Sequence, residues 1–137
     1  MVYRQMNIDD YDGIIGFWRA TRGIAVTEAD SRDNMAAFLE RNGQACFVAE
    51  DGNRIVGTCL AGNDGRRGYL YHLAVREEAR LAGIGSALVE RCLAGLRGYG
   101  IEKVHLFVMG DNADAIEWYR RKGWKERTDL AVFSKSL

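Results

Sequence analysis

Apolar and polar positions alternate along the chain in a way that predicts short strands interleaved with amphipathic helices. Val2–Asn7 alternates weakly and predicts a first strand. Apolar residues at helical spacing predict a helix over residues 9–20 and a second helix over 31–43. Ser31 or Asp30 would cap the second helix, because their side-chain oxygens can accept from its first free N–H groups.

The next segments predict a β-hairpin. Ala45–Glu50 and Arg54–Gly62 are rich in β-branched and small apolar residues, and Asp51-Gly52-Asn53 lies between them. Glycine and asparagine tolerate the positive φ angles that tight hairpin turns require. These residues therefore predict two antiparallel strands.

A strand–helix–strand unit follows. Tyr69–Val75 is a dense apolar run, Ile84–Leu96 repeats apolar residues every four positions, and Lys103–Met109 predicts another buried strand. Two strands joined through one helix are parallel, with a right-handed crossover. Residues 112–123 predict a short helix capped by Asn112, and residues 124–136 predict a final hairpin.

Length and composition limit the class of protein. The 137 residues fit one domain, 1–137, of mixed α/β class, and 47% of them are hydrophobic. Nineteen basic residues balance nineteen acidic ones, so we expect no nucleic-acid partner. We also expect no membrane span or secretory signal, and therefore a cytoplasmic protein. The three cysteines lie in apolar runs without CxxC spacing, and with only two histidines we expect no metal site.

The segment Arg80-Leu81-Ala82-Gly83-Ile84-Gly85, which joins the Tyr69–Val75 strand to its helix, carries the candidate chemistry. Free N–H groups at a helix start favour an anion, and glycines let a ligand approach the backbone closely. A Walker A lysine is absent, and so is the GxGxxG dinucleotide pattern. An anion site and a tightly packed helix cap both remain open from this spacing alone.

Two motifs together resemble one family. Arg80-x-x-Gly83-x-Gly85 after a strand resembles the Q/R-x-x-G-x-G/A signature of the GNAT superfamily of N-acetyltransferases. Further along, the chain is similar to the family's second region, N-x-x-A-x-x-x-Y-x-x-x-G-F/W, through Asn112, Ala115, Tyr119, Gly123 and Trp124. The chain lacks the family's frequent proline after the strand, where it has Glu77, and has Leu81 where glycine is frequent.

The resemblance implies a fold and a co-substrate. The expected fold is a GNAT-like mixed, mostly antiparallel sheet of six to seven strands, flanked by about four helices, with a V-shaped splay between strands 4 and 5. The expected co-substrate is acetyl-CoA, with its pyrophosphate on the signature loop and its pantetheine arm beside strand 4. The residues implied for this role are Leu73, Ala74, Val75, Arg80, Leu81, Ala82, Gly83, Ile84, Gly85, Ser86 and Asn112.

The resemblance also implies catalytic roles. The backbone N–H of Leu73 would stabilise the oxyanion of a tetrahedral intermediate, and Tyr119 would protonate the departing thiolate. Helix spacing alone would instead place Tyr119 in the core. Some relatives carry a glutamate base where this chain has Phe107. His72 and a chain of water molecules are alternative bases. Strand alternation, however, predicts that His72 points away from Tyr69, Tyr71 and Leu73, which favours a structural role.

The residues that would bind the acceptor amine have alternative roles. Glu28 and Asp30 could face a cationic amine, or could cap a helix beside Thr27 and Ser31. Tyr71 could line the acceptor pocket or pack in the core.

The function expected from these residues is N-acetyl transfer by direct attack of an amine, without an acyl-enzyme. The acceptor would be a peptide α-amine or a small-molecule amine. The alternatives are a CoA-binding sensor without turnover and a nucleotide-binding regulator. The edge of the final hairpin would allow pairing into a homodimer.

Overall fold

The computed structural model describes all residues from Met1 to Leu137 and contains one sheet. Its five strands are β1 (Val2–Gln5), β2 (Phe47–Asp51), β3 (Arg54–Asn63), β4 (Gly68–Val75) and β5 (Val104–Leu106). The four α-helices are α1 (Tyr11–Ala20), α2 (Arg32–Asn42), α3 (Ile84–Gly98) and α4 (Ala113–Arg121). Backbone contacts divide the chain into two compact units, residues 1–107 with the sheet and the first three helices, and residues 108–137 with α4.

The sheet has the strand order β1-β2-β3-β4-β5. The first three pairs are antiparallel, and β4 and β5 are parallel. The crossover through α3 explains the parallel pair, because a strand that returns through a helix runs in the same direction as the first. The mixed, mostly antiparallel sheet and the four helices are therefore confirmed.

The expected number of six to seven strands is wrong. Strand β5 covers only Val104–Leu106 of the predicted Lys103–Met109, and it pairs with β4 only over Gly68–Leu70. The rest of β4 runs on without β5 beside it. The V-shaped splay between strands 4 and 5 stays a prediction.

Residues 124–136 form no strand, so the predicted final hairpin is wrong. Leu130, Val132 and Phe133 are all largely exposed. A strand needs one face that collects apolar side chains, and Val132 and Phe133, as neighbours, would point to opposite faces. The strand edge that was expected to pair into a homodimer is therefore absent.

Local sequence explains where the other elements begin and turn. The Ser31 hydroxyl accepts the N–H of Asn34 at 3.3 Å and caps α2, and the Asn112 side chain accepts the N–H of Ala115 at 3.2 Å and caps α4. Gly52 has φ +64° in the β2–β3 turn, a conformation that glycine adopts without steric cost. The predicted caps at Ser31 and Asn112 and the predicted β2–β3 hairpin are confirmed.

The core of the first unit lies on both faces of the sheet. Helices α1 and α2 cover one face, where Trp18 and Ile14 are buried together with Ala74 of β4. Helix α3 covers the other face, where Gly57 leaves room for Leu88 and Ile84: a Cβ on Gly57 would lie 2.9 Å from Leu88. The tight approach of α3 therefore depends on a residue without a side chain.

The three cysteines, Cys46, Cys59 and Cys92, are free and buried, as predicted. Burial raises the pKa of Cys46 to about 12. The neighbouring Cys59 and burial raise the pKa of the Cys92 thiol well above its usual range. Because thiolates are the reactive form, these core thiols are poor nucleophiles.

Candidate active site

The loop between β4 and α3 has a strained backbone. Leu81 has φ +68° and Gly83 has φ +78°. Glycine adopts such angles freely, but leucine does so at a cost of about 1–2 kcal/mol. The Leu81 side chain is also fully exposed, with a relative exposure of 106%. Strain at a residue that packs against nothing is typical of functional loops.

The first turn of α3 presents free donors to this loop. The first backbone bond of the helix joins the N–H of Ala87 to the carbonyl of Gly83 at 3.1 Å. The N–H groups of Ile84, Gly85 and Ser86 come before it and have no partner within the helix. A Cβ on Gly83 would meet no heavy atom within 4 Å. The loop thus has donors, and open space beside its central glycine, as a bound diphosphate would require.

Arg80 is held at the start of this loop. Its Nε donates to the carbonyl of Val75 at 3.1 Å, so the arginine side chain bonds to the end of β4. The backbone conformation at Arg80 is extended, with φ −70° and ψ 162°. The Arg80 side chain therefore lies between the end of β4 and the loop that contains Gly83.

A β-bulge interrupts β4 at Leu73, the first of the β4 residues implied in acetyl transfer. Thr58 pairs with Ala74 and Leu60 pairs with Tyr71, so the two residues His72 and Leu73 stand opposite a single residue of β3. His72 carries the distortion, with φ +50°. Pairing with β5 has already ended at Leu70. The bulge thus lies where β4 has lost its β5 partner.

The bulge overturns the prediction from strand alternation that His72 points away from Tyr71. His72 contacts Trp18 of α1 with a ring-centroid distance of 4.6 Å, and Tyr71 contacts Phe38 of α2 at 6.3 Å. Trp18 and Phe38 belong to the same apolar cluster on one face of the sheet. An extra residue shifts the side-chain period by one, so Tyr71 and His72 lie on the same face.

His72 and Asp30 form a hydrogen-bonded pair. The Nε2 of His72 lies 2.9 Å from Oδ1 of Asp30, and the two side chains are 17% and 8% exposed. The other oxygen of Asp30 accepts the N–H of Thr27 at 3.2 Å. Tyr11 donates from its hydroxyl to the Asp30 carbonyl at 2.7 Å. The sequence analysis considered Asp30 and His72 separately, and it did not predict a contact between them.

Glu28 and Asp30 have different surroundings. Both line an open depression of about 540 Å³ beside α1 and the start of α2. Glu28 is exposed, whereas the carboxylate of Asp30 is buried and caps the turn that begins at Thr27. Of the two carboxylates, only that of Glu28 is exposed to solvent. Asp30 has the capping role that the sequence offered as an alternative to binding an amine.

An aromatic row continues from this face toward β5. Tyr69 stacks on Tyr71 at 6.4 Å and on Phe107 at 6.1 Å between ring centroids. Tyr71 is 40% and Phe107 is 64% exposed. Burial, and to a lesser extent the neighbouring Tyr69, raises the pKa of the Tyr71 hydroxyl. These rings therefore offer apolar contact area and no base.

The second unit contains Asn112 and Tyr119. The Asn112 side chain caps α4. Tyr119 is half-buried and makes edge contacts with the rings of Trp118 at 5.0 Å and Trp124 at 5.7 Å. No residue of α4 is fully buried, so Tyr119 packs against neighbouring rings without lying in a closed core, and its role stays a prediction.

Comparison with known proteins identifies the family. Residues 11–124 match the family described as the acetyltransferase (GNAT) family. The chain belongs to the GNAT family of acetyltransferases. Acetyltransferase ECA0875 of Pectobacterium atrosepticum is 31% identical over 136 residues, which cover 99% of this chain and 93% of that protein. Acetyltransferase SG1711 of Sodalis glossinidius is 28% identical over 137 residues, which cover 100% and 96%.

Solved structures share the GNAT fold. The PaiA N-acetyltransferase of Thermoplasma acidophilum, in complex with coenzyme A, has a TM-score of 0.76 and 19% identity, covering 93% of this chain and 92% of that one. AAC(6')-Iy, in complex with the bisubstrate analogue CoA-S-monomethyl-acetylneamine, has a TM-score of 0.77 and 17% identity, covering 99% of this chain and 98% of that one. This GNAT protein is accordingly an acyltransferase, as the two motifs predicted.

Two further findings concern the whole chain. No group of three or more His, Cys, Asp or Glu side chains is placed to hold a metal ion. None of the helices has the length and apolar content needed to cross a membrane.

Proposed function

We propose that this GNAT protein transfers the acetyl group of acetyl-CoA to a primary amine by direct attack through a tetrahedral intermediate. The observation that carries the proposal is the β4–α3 loop, with strained Leu81, open space beside Gly83 and free N–H groups from Ile84 to Ser86. A diphosphate at this helix start would gain about 1–2 kcal/mol from the helix dipole, in addition to its hydrogen bonds. Acetyl-CoA would supply the activated acetyl group.

The residues of β4 would hold the arm of the co-substrate. Leu73 belongs to the bulge, Ala74 and Val75 follow it, and β5 does not pair with this part of the strand. The pantetheine arm would then run beside β4 as an added strand. The N–H of Leu73 would stabilise the oxyanion, a role worth about 10²–10³-fold in rate.

Tyr119 would act as the general acid and donate its phenolic proton to the leaving thiolate sulfur. A positioned acid contributes about 10²–10⁴-fold. Asn112 would contact the cofactor arm while it caps α4, since a side-chain amide has both donor and acceptor atoms. The three buried cysteines give no support to an acyl-cysteine route.

The acceptor would bind on the face of the sheet that carries Tyr71, with Glu28 at its edge. Aromatic rings and an exposed carboxylate suit a cationic amine. Both a peptide α-amine and a small-molecule amine fit this chemistry. Two proteins that share the fold are named as an aminoglycoside acetyltransferase, meta-AAC0020, and an N-acetyltransferase, PaiA.

A CoA sensor without turnover is the second candidate. It is favoured by Phe107, an exposed aromatic residue where some relatives carry a glutamate base. Turnover distinguishes the two candidates. Thiol release from acetyl-CoA would be followed with spermidine, an aminoglycoside and an alanine-initiated peptide as acceptors. Because the protein's own thiols are buried, a thiol reagent should report released CoA.

Release with at least one amine supports the transferase. No release from any amine, combined with tight CoA binding, supports the sensor. Thermal unfolding with acetyl-CoA, CoA and ATP tests the binding step, since a ligand of the native state raises the melting temperature. Stabilisation by ATP alone would instead favour the nucleotide-binding regulator.

A further inference from the structure

His72 lies in a conformation that a purely structural strand histidine does not require. Its φ of +50° places it in the left-handed region, at the bulge, and its ring contacts Trp18 of α1 and Asp30 just before α2. Thr58 holds this conformation by donating from its hydroxyl to the His72 carbonyl at 2.9 Å. Trp18 in turn donates to the Thr58 hydroxyl at 2.8 Å. The bulge and its buried support fix the place of the His72 ring.

Asp30 determines which ring nitrogen of His72 carries the proton. A carboxylate oxygen 2.9 Å from Nε2 accepts a hydrogen bond, so Nε2 is the protonated nitrogen. In the neutral imidazole, Nδ1 then has a free lone pair. The Asp30 carboxylate is itself fixed by the N–H of Thr27, and the Asp30 carbonyl by the hydroxyl of Tyr11. The pair therefore has one defined tautomer and one defined ring orientation.

The free nitrogen of His72 is open to a ligand. Within the chain, the imidazole makes one hydrogen bond, through Nε2 to Asp30. Every fully buried side-chain nitrogen or oxygen in the structure has a partner, so Nδ1 is at least partly accessible, in a side chain that is 17% exposed. The ring lies on the same face as Tyr71, beside which the acceptor is proposed to bind. A hydrogen-bond acceptor is thus presented where an ammonium substrate must lose a proton.

The charged groups around the pair are few. The ring and hydrogen-bond contacts of His72 are made with Asp30, Trp18 and Thr58, and only Asp30 is titratable. The depression that Asp30 lines also contains three charged side chains, Arg19, Glu28 and Arg32. The aromatic neighbour Tyr71 keeps its proton at neutral pH, because burial raises its pKa.

From this geometry we infer that His72 is the catalytic base of the proposed acetyl transfer and that Asp30 is its positioning residue. Nδ1 of His72 takes a proton from the acceptor ammonium, which frees the nitrogen lone pair for attack on the acetyl carbonyl. The imidazolium then releases that proton to solvent, and Asp30 stabilises it while it is charged. The inference rests on the proposed function, because it requires an amine acceptor.

The test compares His72→Asn with His105→Asn, a change at the only other histidine of the chain. Asparagine tolerates positive φ, so His72→Asn keeps the bulge while removing the base. Thermal shift with CoA verifies that each variant is folded and binds the coenzyme. Thiol release is then followed with the amine that wild type uses best. We expect His72→Asn to lower kcat/KM by about 10²–10⁴-fold near pH 7, and His105→Asn to change it little.

The pH profile separates a base from a structural residue. The free amine, which needs no base, accumulates as pH approaches the acceptor's own pKa, about 8 for a peptide α-amine and about 10 for an alkyl amine. The ratio of wild-type to His72→Asn rates should therefore fall as pH rises. Asp30→Asn should show a smaller loss with the same trend. A ratio that stays constant with pH, or an unchanged rate in His72→Asn, overturns the inference.

A measurement without an acceptor tests the geometry. Long-range ¹H–¹⁵N spectra of the two imidazoles, assigned with His105→Asn, should show His72 with Nε2 protonated and Nδ1 unprotonated. Asp30→Asn should weaken that tautomer preference. The opposite tautomer in wild type overturns the inference even if the enzyme is active. No thiol release by wild type with any amine overturns the proposed function, and the base with it, whereas release with an unaffected His72→Asn overturns the base alone.

Discussion

The indole N–H of Trp18 donates to the hydroxyl oxygen of Thr58 at 2.8 Å, and both side chains are completely buried. The Thr58 hydroxyl in turn donates a hydrogen bond to the carbonyl of His72 at 2.9 Å. One hydroxyl thereby joins α1 to the bulge in β4. The conformation of His72 depends on this pair, because a bulge leaves backbone groups that the strand ladder no longer satisfies.

Thr58→Val should destabilise the protein more than its small change in shape implies. Valine leaves the buried Trp18 N–H without an acceptor, and we expect a loss of about 2 kcal/mol in the free energy of unfolding. Urea denaturation provides the measurement. Thr58→Ser is the matched control, because it keeps the hydroxyl and should cost about 1 kcal/mol for the lost methyl group. A valine variant as stable as wild type would show that the hydroxyl contributes nothing.

Gly83→Val should weaken CoA binding. Its Cβ would enter the open space beside the loop, where the pyrophosphate is proposed to lie. Losing about 1–2 kcal/mol of helix-dipole and hydrogen-bond stabilisation corresponds to a rise in Kd of about tenfold. Isothermal titration calorimetry with CoA measures it.

The control for Gly83→Val is Gly65→Val in the β3–β4 turn. Gly65 has φ +86°, close to the +78° of Gly83, and also faces open space. Both variants should lose about 1–2 kcal/mol of stability from the left-handed backbone. Only Gly83→Val should lose affinity for CoA. Equal affinities in the two variants would show that the pyrophosphate does not bind at this loop.

Tyr119→Phe should lower kcat by about 10²–10⁴-fold while CoA affinity stays nearly unchanged, because only the proton donor is lost. The phenyl ring retains the edge contacts with Trp118 and Trp124, so we expect little change in melting temperature. Thiol release and thermal unfolding are the two measurements. Tyr99→Phe, at the end of α3, is the control for loss of a tyrosine hydroxyl. A large loss of stability with normal turnover would make Tyr119 a structural residue.

Asp10 should stabilise the fold in a pH-dependent way. Its burial acts to raise the pKa, but the hydrogen bonds from Arg4 and from the N–H of Asn7 outweigh burial and hold the pKa of Asp10 below its ordinary value. A lowered folded pKa means that the stabilisation is complete above the unfolded pKa of about 3.9 and is lost as pH falls through the folded value.

Asp10→Asn should therefore be less stable than wild type by about 1–2 kcal/mol at neutral pH, and the difference should shrink as pH falls below the unfolded pKa of about 3.9. Urea denaturation over a pH series measures it. Asp12→Asn, at a side chain 93% exposed, should change stability little at any of these pH values. A constant difference between Asp10→Asn and wild type would rule out the ionised carboxylate as its cause.

Features that depend on neighbouring residues were predictable. Ser31 and Asn112 cap helices because a side-chain oxygen reaches N–H groups only three positions ahead. The β4–α3 loop was predicted as a candidate anion site from its glycines, and the structure gives it the free donors that such a site needs. The strain at Leu81 was not predicted, since no residue type at that position signals a positive φ.

Features that depend on pairing were missed. Alternation placed His72 opposite Tyr71, because a strand read alone has no sign of a bulge. The bulge exists only relative to β3, where one residue faces two of β4. The final hairpin was predicted from residues with strand propensity, but propensity forms a strand only when one face can be buried, and Leu130 and Phe133 remain exposed.

The sequence alone therefore determined the order of helices and strands, the crossover, the buried cysteines and the two GNAT motifs, because each is encoded within a few neighbouring positions. Tertiary structure decided which side chains meet. His72 and Asp30 are 42 positions apart and join only because Trp18, Thr58 and the bulge turn β4 toward α1. Contacts between residues so far apart in sequence depend on the register between strands and on the packing of helices over them. Neither can be predicted from a single segment of the sequence.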